Sequence, residues 1–295
     1  MPIHLHPVSR RSFLKQSLVA GAGLLASPML FAASRKSDAH AWVMMTDPHI
    51  AADPTQLGRG MNMTDHLTQV CGEVLALEKA PAGVIVHGDC AFSTGKLDDY
   101  EQFLKLMRPL RENKLPIHLA LGNHDHRERF YTAANLKASS AVPDKYVSVV
   151  KSERANFFIL DSLNEIPSNP GLLGEKQLQW LAKNLDANKK KPAIVVVHHN
   201  EKRMIDSDKL IALMDERKHV KALFHGHIHR WRLDETPGGV HIVNLLPVGY
   251  PTATGGATGW VHATFAADGV RLEVRCTNQE DPLHRTVHQL SWRSA

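Results

Sequence analysis

Five short apolar runs of strand length, at residues 41–46, 83–87, 116–121, 193–197 and 222–224, each end in a polar motif rich in metal-ligating side chains. The motifs are Asp47-Pro48-His49, Gly88-Asp89, Gly122-Asn123-His124-Asp125, His198-His199 and Gly226-His227-Ile228-His229. In open α/β sheets ligands gather in the crevice beyond the carboxyl ends of the strands. Asp, Asn and His clustered there are costly unless water or a cation answers them. The chain is therefore constrained to a fold that brings five strand ends to one crevice, and a metal centre makes that crevice affordable.

The remaining pattern agrees with an α/β fold. Further strands are expected at 146–150 and 157–160, and amphipathic helices at 65–77, 98–111, 175–185 and 207–217, the last with Ser207 in the capping position. Beyond residue 240 strands follow without helices, at 241–246, 260–265 and 270–276, around a Gly/Thr-rich loop at 252–259. No internal repeat and no second core is evident, so one domain is expected over 35–295, with a sheet begun by α/β units and finished by hairpins. Within it, Pro48 biases Asp47 toward extended backbone, where residues two apart point the same way. Asp47 and His49 are thereby expected to share an ion, and His227 and His229 to share a face opposite Ile228. Gly88, Gly122 and Gly226 permit sharp turns out of the strands.

Residues 1–34 read as a leader. Arg10, Arg11 and Lys15 precede an uncharged, Gly/Ala-rich apolar stretch, and Ser9-Arg10-Arg11-Ser12-Phe13-Leu14-Lys15 resembles the twin-arginine export signal. That resemblance implies a periplasmic or otherwise exported protein and the twin-arginine export machinery as a partner, folding and loading cofactors before export. Gly21, Gly23 and Pro28 interrupt the apolar stretch, so no stable membrane anchor is expected. The whole chain has a net charge of +5; the leader's three basic residues removed, 5 − 3 leaves +2, which argues against a nucleic-acid partner. With 19 histidines but only Cys71, Cys90 and Cys276, metal chemistry by nitrogen and oxygen is favoured over a disulfide scaffold, and the odd count leaves at least one free thiol.

In this order the five motifs resemble the calcineurin-like metallophosphoesterase superfamily, whose signature is D-x-H, G-D, G-N-H-D/E, a histidine block and G-H-x-H; the resemblance spans 40–229. It implies a layered α/β/β/α sandwich of two mixed sheets flanked by helices. It also implies one divalent ion held by Asp47, His49, Asp89 and His229 and a second held by Asp89, Asn123, His198 and His227, with Asp89 shared. A hydroxide between the ions would attack a small-molecule phosphate ester, and His124 would protonate the leaving oxygen. Two divalent ions, two aspartates and one hydroxide leave a formal charge of about +1 to attract phosphate. Carboxylate, amide and imidazole donors without thiolate suit Mn, Fe, Zn, Co or Ni alike.

Two features refine the resemblance. Phe92 stands three residues after Asp89, where purple acid phosphatases carry tyrosine and protein Ser/Thr phosphatases aspartate, which points to the cyclic-nucleotide and glycerophosphodiester phosphodiesterase branch. After His198-His199 the family usually has proline, whereas this chain has Asn200-Glu201-Lys202-Arg203. Substrate contacts are expected from His199 and Arg127, with Arg129, Lys202 and Arg203 further candidates, and the loops at 51–63 and 252–259 are expected to rim the pocket. Asp125 is expected to cap a turn, and Cys90 to pack as a small apolar residue. His87, His118, His126, His219 and His225 are expected to be satisfied without an ion. Hydrolysis of small phosphodiesters or phosphomonoesters follows; the contrasting reading is a non-catalytic exported module that binds metal or phosphate.

Overall fold

The apolar runs become strands because their β-branched and aromatic residues can be buried on both faces at period two. In β2 (Ser37–Met45), Val43 and Met45 pack outward toward the helices while Trp42 and Met44 face the opposite sheet. A computed structural model describes residues 3–7, 35–137 and 140–294; the twin-arginine motif and the apolar stretch after it lie outside the described residues.

In chain order the strands are β1 (Ile3–Leu5), β2, β3 (Leu57–Gly58), β4 (Met61–Asn62), β5 (Ala80–Val86), β6 (Ile117–Leu119), β7 (Ser148–Lys151), β8 (Asn156–Ile159), β9 (Ala193–Val196), β10 (Val220–His225), β11 (Arg232–Glu235), β12 (His241–Asn244), β13 (Gly259–Phe265), β14 (Gly269–Cys276) and β15 (Val287–Ser291). Seven form a sheet in the order β1-β6-β5-β2-β13-β14-β15, and six form a second in the order β11-β12-β10-β9-β8-β7. Helices α1 (Met63–Leu75), α2 (Leu97–Glu112) and α3 (Arg127–Ala133) cover the first sheet; α4 (Glu175–Ala187) and α5 (Ser207–Asp215) cover the second. The result is an α/β/β/α sandwich with both sheets mixed.

The two sheets divide the apolar interior into three clusters, where the sequence led us to expect one core. Trp42, Ile85, Phe157, Val196, Phe224 and Phe265 fill the space between the sheets. Leu67, Phe103 and Phe130 fill the outer layer on one side, and Leu181, Leu210 and Met214 the outer layer on the other.

Parallel pairing aims the motifs. β2, β5 and β6 run parallel in one sheet, and β8, β9, β10 and β12 in the other. The five motifs follow the ends of β2, β5, β6, β9 and β10 directly, so they emerge at the carboxyl edge of the sandwich.

Several elements had little signal in the sequence. β11 is a charged, exposed edge strand and β15 a mostly polar one, so neither shows an apolar alternation. β1 lies within the expected leader, yet Ile3 and Leu5 are buried and the strand pairs antiparallel with β6, Ile3 opposite Leu119 and Leu5 opposite Ile117. Ser207 is the first residue of α5 rather than its cap. Asp206 occupies the cap position, and its carboxylate instead accepts hydrogen bonds from Leu173 N and Gly174 N at 3.1 and 2.8 Å. Among the described residues no helix is long and apolar enough to cross a membrane.

Candidate metal centre

Asp47 and His49 converge by a route other than the extended one expected from Pro48. Both have positive φ, 51° and 48°, as do Asp89 (51°), His227 (70°) and His229 (49°). The cause is loop-to-loop pairing: Asp47 N donates to Gly88 O, His49 N to Asp89 O and Ile50 N to Cys90 O, at 2.9–3.1 Å. Following the neighbouring loop bends each segment into the left-handed region, a strain of roughly 1–3 kcal/mol per residue that concentrates at functional sites. The approach is close enough to require glycine. A Cβ on Gly122 would stand 2.2 Å from Asp89 Oδ1, and one on Gly226 would stand 2.4 Å from Asp47 Oδ2.

The ligand atoms fall into two groups, each within 4.8 Å: Asp47, His49, Asp89 and His229; and His198, His199 and His227. Asp89 lies between them, its Oδ2 3.6 Å from His49 Nε2 and 3.2 Å from His198 Nε2. Asn123 Oδ1 is buried without a partner, while its amide nitrogen donates to Pro167 O at 3.0 Å.

Three of the imidazoles are oriented by carbonyls. His49 Nδ1 faces Phe92 O (3.2 Å), His198 Nδ1 faces His87 O (2.8 Å) and His229 Nδ1 faces Tyr250 O (2.7 Å). A carbonyl only accepts, so each Nδ1 carries hydrogen and each Nε2 lone pair points inward, the arrangement that second-shell partners impose on metal ligands. The carboxylates match: Asp47 Oδ2 accepts from Thr46 Oγ1 and His227 N, and Asp89 Oδ1 from His124 N, turning Asp47 Oδ1 and Asp89 Oδ2 inward. Among the described residues Asp47 Oδ1, His198 Nε2 and His199 Nε2 are buried without a well-aligned hydrogen bond, Asp47 Oδ1 meeting His229 Nε2 at 3.1 Å and His198 Nε2 meeting Asp89 Oδ2 at 3.2 Å. His49 Nε2 and His229 Nε2 meet at 3.1 Å. Buried acceptors facing one another in this way fit divalent cations.

The electrostatics point the same way. Burial pulls His198 down, but the charges of Asp89 and Asp47 outweigh it and hold the ring up at about 9. His229 is likewise raised against its burial, chiefly by Asp47. Burial would raise both carboxylates, yet the neighbouring imidazoles hold Asp47 and Asp89 below their ordinary range. Burial pushes His49, His227 and His199 down, to about 4, 3 and 2. A cation seated here competes with protons only at His198 and His229, so uptake is coupled to their release.

Other expected residues take different places. His124 Nδ1 donates to Ser93 O at 2.6 Å, and its ring lines a pocket of about 710 Å³ beside the ligands. His199, expected at the substrate, is buried beside His227, with Nδ1 2.8 Å from Ser162 Oγ, and does not line that pocket. Arg127 is engaged elsewhere: Nε and Nη2 donate to Asp161 at 2.7 and 2.9 Å, and Nη2 also to Leu163 O. Asp125 is no helix cap but the anchor of the ligand loops, accepting from Cys90 N, Ala91 N, Gly122 N and Tyr100 Oη at 2.9–3.2 Å. Burial, then the charge of Asp89, raises it to about 6.

The pocket's rim includes Arg59 and residues between Thr252 and Ala257, from the two loops expected there, together with Arg203. Arg230, Trp231 and Tyr250 were missed. Arg230 and Trp231 directly follow His229, a position that could have marked them, and Tyr250 stacks on His49 with ring centroids 4.8 Å apart.

An α/β/β/α sandwich with Asp, Asn and His at the carboxyl ends of its parallel strands defines a class of metal-dependent esterases. The chain belongs to the calcineurin-like phosphoesterase family, whose pattern matches residues 43–231. It is accordingly a phosphoric ester hydrolase. It is 24% identical over 199 residues (64% of this chain, 69% of the relative) to the 3',5'-cyclic adenosine monophosphate phosphodiesterase CpdA of Haemophilus influenzae. It is 28% identical over 204 residues (64% and 71%) to a probable cyclic nucleotide phosphodiesterase of Rhodopseudomonas palustris. Other relatives are named cyclic-nucleotide and glycerophosphodiester phosphodiesterases, in line with the branch read from Phe92. In fold it is similar to a dimetal phosphatase from Danio rerio, with a TM-score of 0.67 at 14% identity, covering 86% of this chain and 99% of that one.

Proposed function

We propose that the chain is a dinuclear-metal phosphoesterase that hydrolyses small phosphodiesters or phosphomonoesters. The observation that carries this reading is the position of Asp89, whose Oδ2 lies within 3.6 Å of His49 Nε2 and 3.2 Å of His198 Nε2, between two groups of candidate ligands. Asp47, His49, Asp89 and His229 would hold one divalent ion; Asp89, Asn123, His198 and His227 the second, with His199 close enough to join it. Such ions supply Lewis-acid polarisation of the phosphoryl oxygens and a nucleophilic water whose pKa falls to ~7.

The chain's own groups do the rest. Arg59, Arg203 and Arg230 surround the pocket with positive charge and draw the phosphate in. His124 is oriented by Ser93 O, which keeps hydrogen on Nδ1 and leaves Nε2 to carry the proton it gives to the departing alcohol oxygen. The names of the relatives support diesters as substrates.

The test is turnover of bis-p-nitrophenyl phosphate and p-nitrophenyl phosphate by protein loaded separately with Mn, Fe, Zn, Co and Ni. Metal-dependent hydrolysis of at least one is expected. Tight metal binding with turnover of neither would instead favour the non-catalytic binding module.

We also infer export by the twin-arginine route, from residues 9–15. Replacing Arg10 and Arg11 with lysine should retain the protein in the cytoplasm; unchanged export would reject this inference.

A further inference from the structure

Beside the metal pocket lies a second cavity of about 320 Å³, on the order of ten water volumes. No candidate metal ligand lines it. The two cavities share Arg203, Ile228 and Arg230 as a common wall. It is bounded by the Asn200-Glu201-Lys202-Arg203 segment, which is also where the chain departs from its family's usual sequence.

The inner wall is made of acceptors with nothing to accept. Among the described residues Asn200 Oδ1, Glu201 Oε2 and Asn244 Oδ1 are buried without hydrogen-bond partners. Asn244 cannot turn its amide around, because its nitrogen donates to Arg230 O and Leu245 O. His225 Nδ1 donates to Gly226 O at 3.1 Å, which leaves a lone pair on Nε2, and that atom lies 3.8 Å from Glu201 Oε2. Two acceptors at that distance make no bond to each other, but a hydroxyl at ordinary hydrogen-bond length reaches both. Asn200, His225 and Asn244 are 4%, 1% and 2% exposed, so open solvent does not answer them. Each unanswered group costs roughly 1–3 kcal/mol.

The shared wall has the opposite character. Among the described residues neither the Arg203 nor the Arg230 guanidinium has a hydrogen bond or ion pair. With Lys202 they place three cations around one carboxylate, Glu201, since Arg232 is paired with Asp234. A cationic ligand is therefore disfavoured, and a neutral group rich in hydroxyls, attached to a phosphate, fits both walls.

We propose that this cavity is the alcohol subsite of the enzyme, taking a polyol or sugar group of the phosphoester while Arg203 and Arg230 hold the phosphate at the shared wall. This rests on the phosphoesterase reading above. The test compares two p-nitrophenyl phosphodiesters with the same leaving group, one bearing glyceryl and the other propyl, on the full metal-loaded protein. The expected kcat/KM favours the glyceryl ester at least tenfold, mainly through KM. In Glu201→Gln and Glu201→Leu variants that preference should fall below threefold, the propyl ester in the same preparation serving as the internal reference for folding and loading. Equal rates in the wild type, or a preference that survives both substitutions, overturns the subsite and leaves the cavity as a water site. Turnover of neither ester by the wild type overturns the phosphoesterase reading and the subsite together.

Discussion

Replacing Arg127 with methionine separates two roles for the same side chain. As a substrate contact, its loss would raise KM or lower kcat with little effect on stability. In the structure its guanidinium makes a forked pair with Asp161 and a third bond to Leu163 O. Asp161 is fully buried and, among the described residues, keeps two other donors, Tyr146 N and Leu163 N, both at 3.0 Å. Removing one partner of a buried pair costs roughly 3–5 kcal/mol because the remaining charge is left uncompensated. The two retained N–H donors, and Lys145 Nζ on the same Leu163 carbonyl, place this case near the lower end, about 3 kcal/mol. For a chain of this size that corresponds to a fall in Tm of roughly 5 °C. Thermal unfolding by circular dichroism should show that fall, with kcat/KM within about threefold of wild type below the transition. Arg203→Met, whose guanidinium is unpaired and lines the pocket, should do the reverse. A hundredfold loss of activity in Arg127→Met at unchanged Tm would refute the structural role.

Three further outcomes follow from the geometry. Gly122→Ala, whose methyl would stand 2.2 Å from Asp89 Oδ1 and 2.7 Å from His198 Nε2, should cut bound metal and activity at least tenfold, read by metal analysis; full metal content would show that the loops yield freely. His124→Gln should keep the metals and slow esters of poor leaving groups by ~10²–10⁴ while sparing nitrophenyl esters, and equal slowing of both would reject the proton-donor role. On the sheet edge, burial and then the charge of His4 push His118 down to about 3, and burial first pushes His4 down to about 4. Undocking β1 relieves part of this burial at both rings, so the undocked state binds more protons than the docked one, and docking is strongest above about pH 6.5 and weakens as pH falls below it. Hydrogen exchange at residues 117–119 of the full chain should quicken between pH 7 and 5 beyond its intrinsic pH dependence; constant protection would contradict this.

Much of this molecule was legible in its sequence because its signals are local. β2, β5, β9 and β10 are near-continuous apolar runs buried on both faces, and each delivers its motif one to three residues past its end. β11 and β15 pair through backbone at sheet edges and carry no such pattern. The candidate ligands were legible as residue types, but the left-handed backbone at Asp47 and His49 was not. It arises from hydrogen bonds to Gly88, Asp89 and Cys90, some forty residues away, which no local preference of Pro48 encodes. Arg127 was misjudged for a similar reason, since its partner Asp161 is distant in sequence and an arginine beside a catalytic loop looks the same whether it faces substrate or a buried carboxylate. Tyr250 reaches the pocket only through the closing of the sandwich.

The central claim is that one carboxylate serves two ions. It is tested most directly by anomalous diffraction from crystals loaded with manganese. Two peaks per chain are expected, with Asp89 Oδ2 bound to both, His49 and His229 on one, and His198 and His227 on the other. A single peak, or two peaks with Asp89 bound to only one, would contradict the account.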